Sequence, residues 1–261
     1  MIARARLTPA ATAFNARHHA PHGRLGHVPR RRWSRVGPVA RWLGPFAWQP
    51  NSQTRSAEYP FAHGQIAALG RPVRTVDVGA GLSGLQFVLA AEGHTVTTVD
   101  PAAAGRTQWP LDCAVHARLC RHLRAPVSLV GATLAEAALP DESADVLLCV
   151  STLEHLDPGE VEAFADQVMR VLAPDGIAIL TVDLLLDLAP FTGVPANATG
   201  RNVDIRALLE RAGLSLVAGE PAELCGFGEF DPGAIRARRS EFLEARHAPV
   251  LAQCLVAAPE P

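Results

Sequence analysis

The chain has 261 residues, of which 48% are apolar and 19% charged, enough to bury one full α/β core. No apolar run approaches the roughly 20 residues of a membrane span; ILTVDLLLDLA comes nearest, and Asp183 and Asp187 interrupt it. The net charge of −2 hides a split: residues 1–57 carry 10 Arg and no acid, whereas residues 58–261 carry 14 Arg and all 26 acids.

Five cysteines (Cys113, Cys120, Cys149, Cys225 and Cys254) form no CxxC and no metal-ligand spacing. An odd count without a framework fits a reducing cytoplasm, and no metal site is expected. Residues 1–57 read as an Arg-rich extension and 58–261 as the main domain. Before about residue 36 the periodicity is weak, and the extension is expected to be partly disordered. It has no apolar h-region and so does not read as a secretory signal. RRRWSR (30–35) has the composition of an arm for RNA or another anionic surface, although a loose extension explains it as well. From about Trp33 the pattern changes. Trp42, Phe46 and Trp48 stand between Pro38, Pro45 and Pro50, which predicts short helices forming an aromatic lid on the domain.

From residue 58 onward strands and helices alternate. RTVDVGA reads as a buried strand, GLQFVLAAEG as a helix and HTVTTVD as a strand with β-branched residues on alternate positions. WPLDCAVHARLCRHL carries an apolar stripe through Leu111, Val115 and Leu119, so a helix is expected, followed by a short strand at VSLVGA. ADVLLCVST is a continuous apolar run, the pattern of a strand covered on both faces. PGEVEAFADQVMRVLAPDG predicts a helix stopped by Pro174 and Gly176, and IAILTVD the next strand. VDIRALLERAG is helical, and LSLVAGEP and VLAQCLVAA are closing strands with a helical insert between them. The alternation implies a doubly wound, mostly parallel sheet with helices on both faces.

VDVGAGLSGLQF (76–87) contains Gly79, Gly81 and Gly84 at a strand-to-helix turn, a literal GxGxxG. Such glycines let a ligand approach the backbone beside a helix N-terminus. Asp100 follows 21 positions after Gly79, where an acid can take ribose hydroxyls. This much fits NAD and other nucleoside cofactors alike. Asp77 lies inside the strand, where a carboxylate is costly unless a ligand or the loop satisfies it. It suits a ligand with an amino group better than a pyrophosphate.

VDVGAG, TTVD, LPDESADVLLCVSTLEHL and VLAPDGIAILTVD occur in that order, and together they resemble the class I S-adenosylmethionine-dependent methyltransferases from about Glu58 to the end of the chain. The resemblance implies a seven-stranded sheet with an antiparallel last strand and S-adenosyl-L-methionine as cofactor. Gly79, Ala80 and Gly81 would line its methionine part, with Asp77 near the amino group. Asp100 would accept the ribose hydroxyls and Pro101 would lie beside the adenine. Leu134 would pack on the adenine face. Val150 and Ser151 would border the sulfonium. The family's usual Gly-Asp pair after the third strand is here Gly131-Ala132, which leaves Glu136 as the nearest acid. His155 is a weak candidate for a catalytic base, and a packing or solvent-wall role explains it better; Asp183 and Asp187 flank the mouth of the fifth strand, where substrates often enter.

CVSTLEHL resembles the small-molecule branch of the family, and no NPPY-type tetrad is present. A small-molecule acceptor, such as a metabolite, a sugar or a lipid-like compound, is therefore expected, without a membrane partner and with nucleic acid less favoured as a partner. An RNA methyltransferase gripping through the basic arm is the alternative. An NAD(P)-dependent oxidoreductase is a second, weakened because the chain has no lysine and a single tyrosine, Tyr59. A binding module that kept the fold without catalysis is a third. Acceptor atom and oligomeric state are not encoded legibly.

Overall fold

The computed structural model describes residues 1–24, 37, 39–106 and 111–260. RRRWSR, Trp33 and Pro38 lie outside the described residues, as do Trp109 and Pro110.

Every expected strand forms. They are β1 (Arg74–Val78), β2 (Thr95–Val99), β3 (Val127–Val130), β4 (Ala144–Val150), β5 (Leu172–Leu185), β6 (Leu214–Ala218) and β7 (Val250–Pro259). They make one seven-stranded sheet in the order β3-β2-β1-β4-β5-β7-β6. All pairings are parallel except those of β7, which runs antiparallel to β5 and β6. Strand order reverses between β1 and β4, and ligands of open α/β sheets bind beyond the carboxyl ends of strands at such a point.

Both faces are covered, as the apolar runs require. Val146 and Leu148 of β4 join one cluster with Leu85 and Val88 of α4 (Gly84–Ala91) and Val115 and Leu119 of α5 (Cys113–Leu123). Leu147 and Cys149 join the other, with Phe164 and Val168 of α6 (Pro158–Val171) and Leu208 of α7 (Ile205–Arg211). Asp157 starts α6 through a capping box with Glu160, and Pro158 takes the first helical turn. The helix ends at Val171, earlier than the Pro174 stop expected from the sequence. Leu172 already pairs with Ala144, because the residue before a proline is driven out of the helical region and Pro174 has no N–H to continue the ladder. The insert before β7 contains α8 (Pro232–Ala237).

The N-terminal segment differs most from expectation. Residues 1–24 are not a loose arm. Ile2 is fully buried, bridges Gln253 on β7 and packs with Leu184, Leu251 and Phe242. Its N–H donates to Glu223 at 2.8 Å, and Arg4 pairs with the same carboxylate at 2.7 Å. Thr8 caps α1 (Pro9–His18), which lays Phe14 within 6.1 Å of the Phe46 ring. The Arg-rich composition concealed these anchors, since the neutralising Glu223 comes from more than two hundred residues away. After α2 (Val39–Leu43) and the turn Pro45–Ala47, the expected short helices give way to one of 14 residues, α3 (Arg55–Ala68), with Pro60 inside it. The boundary expected at residue 57 therefore falls within a helix, and extension and domain share one core. Phe46, Trp48 and Tyr59 belong to it, each 1% exposed, whereas Trp42 stays half exposed.

Candidate functional site

The β1 strand delivers Asp77 and Val78 to the turn that opens α4. Gly79 has φ +72° and Gly81 φ +58°, conformations that side chains strain to adopt, so glycine is required at both. Asp100 follows β2 and caps the turn Pro101–Ala104. Its Oδ2 accepts from the Gly81 N–H and its Oδ1 from the Ala102 N–H, both at 2.8 Å. Asp100 thus ties the glycine turn to the end of β2. Each oxygen keeps a second lone pair for a ligand hydroxyl. Burial raises its pKa, against the pull of these two N–H groups.

Asp77 is 2% exposed and its carboxyl has no hydrogen-bond partner among the described residues. Burial, with the charge of Asp100 added, pushes its pKa up to about 8. A buried carboxyl held out of its usual range beside an open glycine turn is prepared to meet a cation. Ala80 is buried in the turn, and Leu134 packs beneath with Val76, Val78 and Val99. Val150 is half-buried at the end of β4. This structure therefore brings Asp77, Gly79, Ala80, Gly81, Asp100, Pro101, Leu134, Val150 and Ser151 to the carboxyl ends of β1, β2 and β4.

Glu136 is turned elsewhere. It pairs with Arg106 at 2.6 Å and accepts from Thr133 Oγ1 at 2.8 Å, half exposed. Arg106 first, then Thr133, pull its pKa down to about 2. His155 is not aimed alone into the site. Its Nδ1 lies 2.6 Å from the Thr199 carbonyl, which must accept, so Nδ1 carries a proton. Its Nε2 faces Glu154 Oε1 at 3.9 Å.

A second group of residues escaped sequence reading. Arg55 and Glu58, one turn apart on α3, enter the same strand ends from above. Glu58 is fully buried and accepts from Arg55 Nη1, from Ser151 Oγ at 2.6 Å and from Thr181 Oγ1 at 2.6 Å. Burial opposes its charge, but Arg55 and the two hydroxyls hold its pKa below the usual range. Glu58 and Asp183 in turn hold the Arg55 guanidinium above its ordinary value in spite of burial. Ser151 has φ +43°, strained for a residue with a side chain, and this fold of the backbone aims its hydroxyl at the pair. Its Oγ accepts from Arg55 at 2.6 Å and has one hydrogen for two carboxylates, Glu58 at 2.6 Å and Asp183 at 3.1 Å. A protonated Asp183 satisfies every contact, donating to Ser151 while Ser151 donates to Glu58. Burial and the nearby Glu58 charge raise the Asp183 pKa in the required direction. Glu154 completes the cluster, 1% exposed with neither oxygen hydrogen-bonded. Burial, then Asp183, raise its pKa well above the usual range. The signal in the sequence was slight: Glu58 is the first acid of the chain, three residues after Arg55.

Among the described residues no helix is long and apolar enough to cross a membrane. Residues 76–180 match the family described as "Methyltransferase domain". No curated protein matches the sequence. The fold is similar to that of Burkholderia thailandensis 1,6-didemethyltoxoflavin-N1-methyltransferase with bound 1,6-didemethyltoxoflavin and S-adenosylhomocysteine, at 18% identity and TM-score 0.54 over 100% of this chain and 95% of that one. It is also similar to magnesium protoporphyrin IX methyltransferase (ChlM) from Synechocystis PCC 6803 with bound S-adenosylhomocysteine, at 16% identity and TM-score 0.51 over 88% and 94%. The (4+2)-cyclase SpnF is similar at 15% identity and TM-score 0.54 over 92% and 99%. At such identities these likenesses speak for the fold alone.

Proposed function

Because residues 76–180 match the methyltransferase-domain family, we propose that the chain is a class I S-adenosylmethionine-dependent methyltransferase and that it methylates a small-molecule acceptor by in-line transfer. The observation that carries this reading is the cradle of Asp77, Gly79, Gly81 and Asp100. It offers a lone buried carboxyl, two glycines with positive φ and a carboxylate with open lone pairs. These residues fit the cofactor. Asp77 would hold its amino group and Gly79, Ala80 and Gly81 its methionine part. Asp100 would hold the ribose hydroxyls, with Pro101 and Leu134 beside the adenine. Val150 and Ser151 would border the sulfonium. When bound, the cofactor supplies a methyl group already activated on sulfur.

The chain's own residues then have three tasks: alignment, exclusion of water and care of the acceptor's proton. Alignment of reacting atoms can contribute about 7–11 kcal/mol to lowering a barrier. Rigidity here comes from the bonds that Glu58 makes to Ser151 and Thr181, which tie α3 to the end of β4 and to the neighbouring stretch of β5. The same helix would cover the strand ends against water when the acceptor is bound, and a covered site would suit a small acceptor better than a polymer; Arg4 of the basic segment is already paired with Glu223. An oxidoreductase reading is disfavoured because the single tyrosine, Tyr59, is buried and bonded to Asn51, and no lysine accompanies it.

Incubation with methyl-labelled S-adenosylmethionine, a metabolite extract and total RNA, each separately, tests the reading. Label in a low-mass product supports it. Label in RNA alone, lost steeply with added salt, would replace it with the RNA alternative.

A further inference from the structure

The chain between Pro45–Ala47 and α3 lays Gln49 on the glycine turn. Gln49 Oε1 accepts from the Leu82 backbone N–H at 2.6 Å. It also lies 2.5 Å from the point where a Cβ on Gly81 would stand. The close approach that a glycine permits at position 81 is thus taken by a side chain of this protein. The orientation of the amide is fixed, because an N–H donor can be met only by the oxygen. Gln49 is itself held in place. Asn51 Nδ2 donates to the Gln49 carbonyl at 3.0 Å and to the Pro21 carbonyl at 2.5 Å, and Tyr59 O–H donates to Asn51 Oδ1 at 2.7 Å. On the other side the Phe46 ring fills the space above Gly84 at the start of α4. The Gln49 contact at the turn is therefore joined through Asn51 to Pro21 and to Tyr59 of α3.

The Leu82 N–H points from the turn just before the α4 N-cap, Ser83, where a carboxylate is favoured. An amide oxygen standing there is a neutral substitute for a carboxylate oxygen. We propose that Gln49 belongs to the cofactor cradle, that it caps the Leu82 N–H in the free protein in place of the cofactor's carboxylate, and that cofactor binding withdraws it and loosens residues 45–51. The proposal rests on the cofactor reading above. A self-capped cradle binds with its intrinsic affinity reduced by the fraction of molecules uncapped. One neutral hydrogen bond makes that fraction small by roughly two- to tenfold.

Calorimetry with S-adenosylhomocysteine on wild type, Gln49→Ala and Gln49→Glu tests it, with amide exchange at Leu82 alongside. The alanine variant is expected to bind about two- to tenfold tighter and to exchange Leu82 faster when free. The glutamate variant is expected to bind more weakly, since a carboxylate caps the N–H more strongly. Ligand should raise proteolytic cleavage within 45–51 in wild type. An alanine variant that binds equally or more weakly overturns the proposal while leaving the cofactor reading intact. Unchanged Leu82 exchange overturns the cap itself. Absence of binding in all three proteins removes both readings together.

Discussion

Removing the buried guanidinium of the cluster is the most demanding test of how this part of the site is built. Arg55 faces Glu58 and, at 3.6 Å, Asp183, with Glu154 also within electrostatic reach. In Arg55→Met the apolar volume is kept and the charge is lost. Glu58 then becomes an uncompensated buried carboxylate, and breaking a buried pair in this way costs about 3–5 kcal/mol. At about 2–4 °C per kcal/mol for a chain of this size, the melting point should drop by roughly 6–20 °C. The loss should also depend on pH. In wild type the Glu58 pKa is depressed, so its contribution is complete above the unfolded value and is lost as pH falls. Without Arg55 the buried acids shift upward instead, so the variant loses stability as pH rises above the unfolded value of about 4.3. The gap between wild type and variant should therefore widen from about pH 5 to pH 8. Urea unfolding at both ends of that range measures it. A difference under about 1 kcal/mol, or one independent of pH, would refute the reasoning that Arg55 compensates this cluster.

Three further outcomes are expected. Asp100→Ala should weaken S-adenosylhomocysteine at least tenfold by calorimetry, since a hydrogen bond to a charged group contributes about 1.5–3 kcal/mol and two hydroxyls are expected there; unchanged affinity in a folded variant removes the ribose assignment. Glu154→Gln should stabilise the protein increasingly as pH rises from about 5 to 8, because the raised pKa of Glu154 withdraws stability over that range, and a variant less stable than wild type at pH 8 would show the carboxylate is paired. Deleting residues 1–7 should lower the melting point by several degrees, since it removes the buried Ile2 and takes from the buried Glu223 carboxylate its bonds to the Ile2 N–H and Arg4, leaving only Arg238 at 3.3 Å among the described residues; an unchanged transition would show that this segment does not anchor the fold.

The parts of the molecule that were legible in the sequence are those whose physics is local. Alternating β-branched runs and punctuated helices gave each strand from β1 to β7, and Asp77, Gly79, Gly81 and Asp100 lie where a strand-turn-helix reading puts them. What stayed hidden depends on partners remote in the chain. Ile2 and Arg4 resemble a solvated arm until Glu223 is brought to them. Glu58 reads as an ordinary helical acid until Ser151 and Thr181 close on it from two strands. Glu136 stood at a plausible spacing for adenine, yet Arg106 draws it to the surface. Gln49 carries no pattern at all, because nothing in a short turn announces which backbone N–H it will reach. The end of α6 was displaced by three residues because Pro174 acts on the residues before it rather than at its own position.

The central claim is that the glycine turn and Asp100 hold S-adenosylmethionine, and paired calorimetric titrations of the intact chain with S-adenosylhomocysteine and with NAD test it most directly. The expected result is saturable binding of S-adenosylhomocysteine at one site per chain, abolished in Gly81→Val, with no heat from NAD. Saturable binding of NAD and none of S-adenosylhomocysteine would contradict the account.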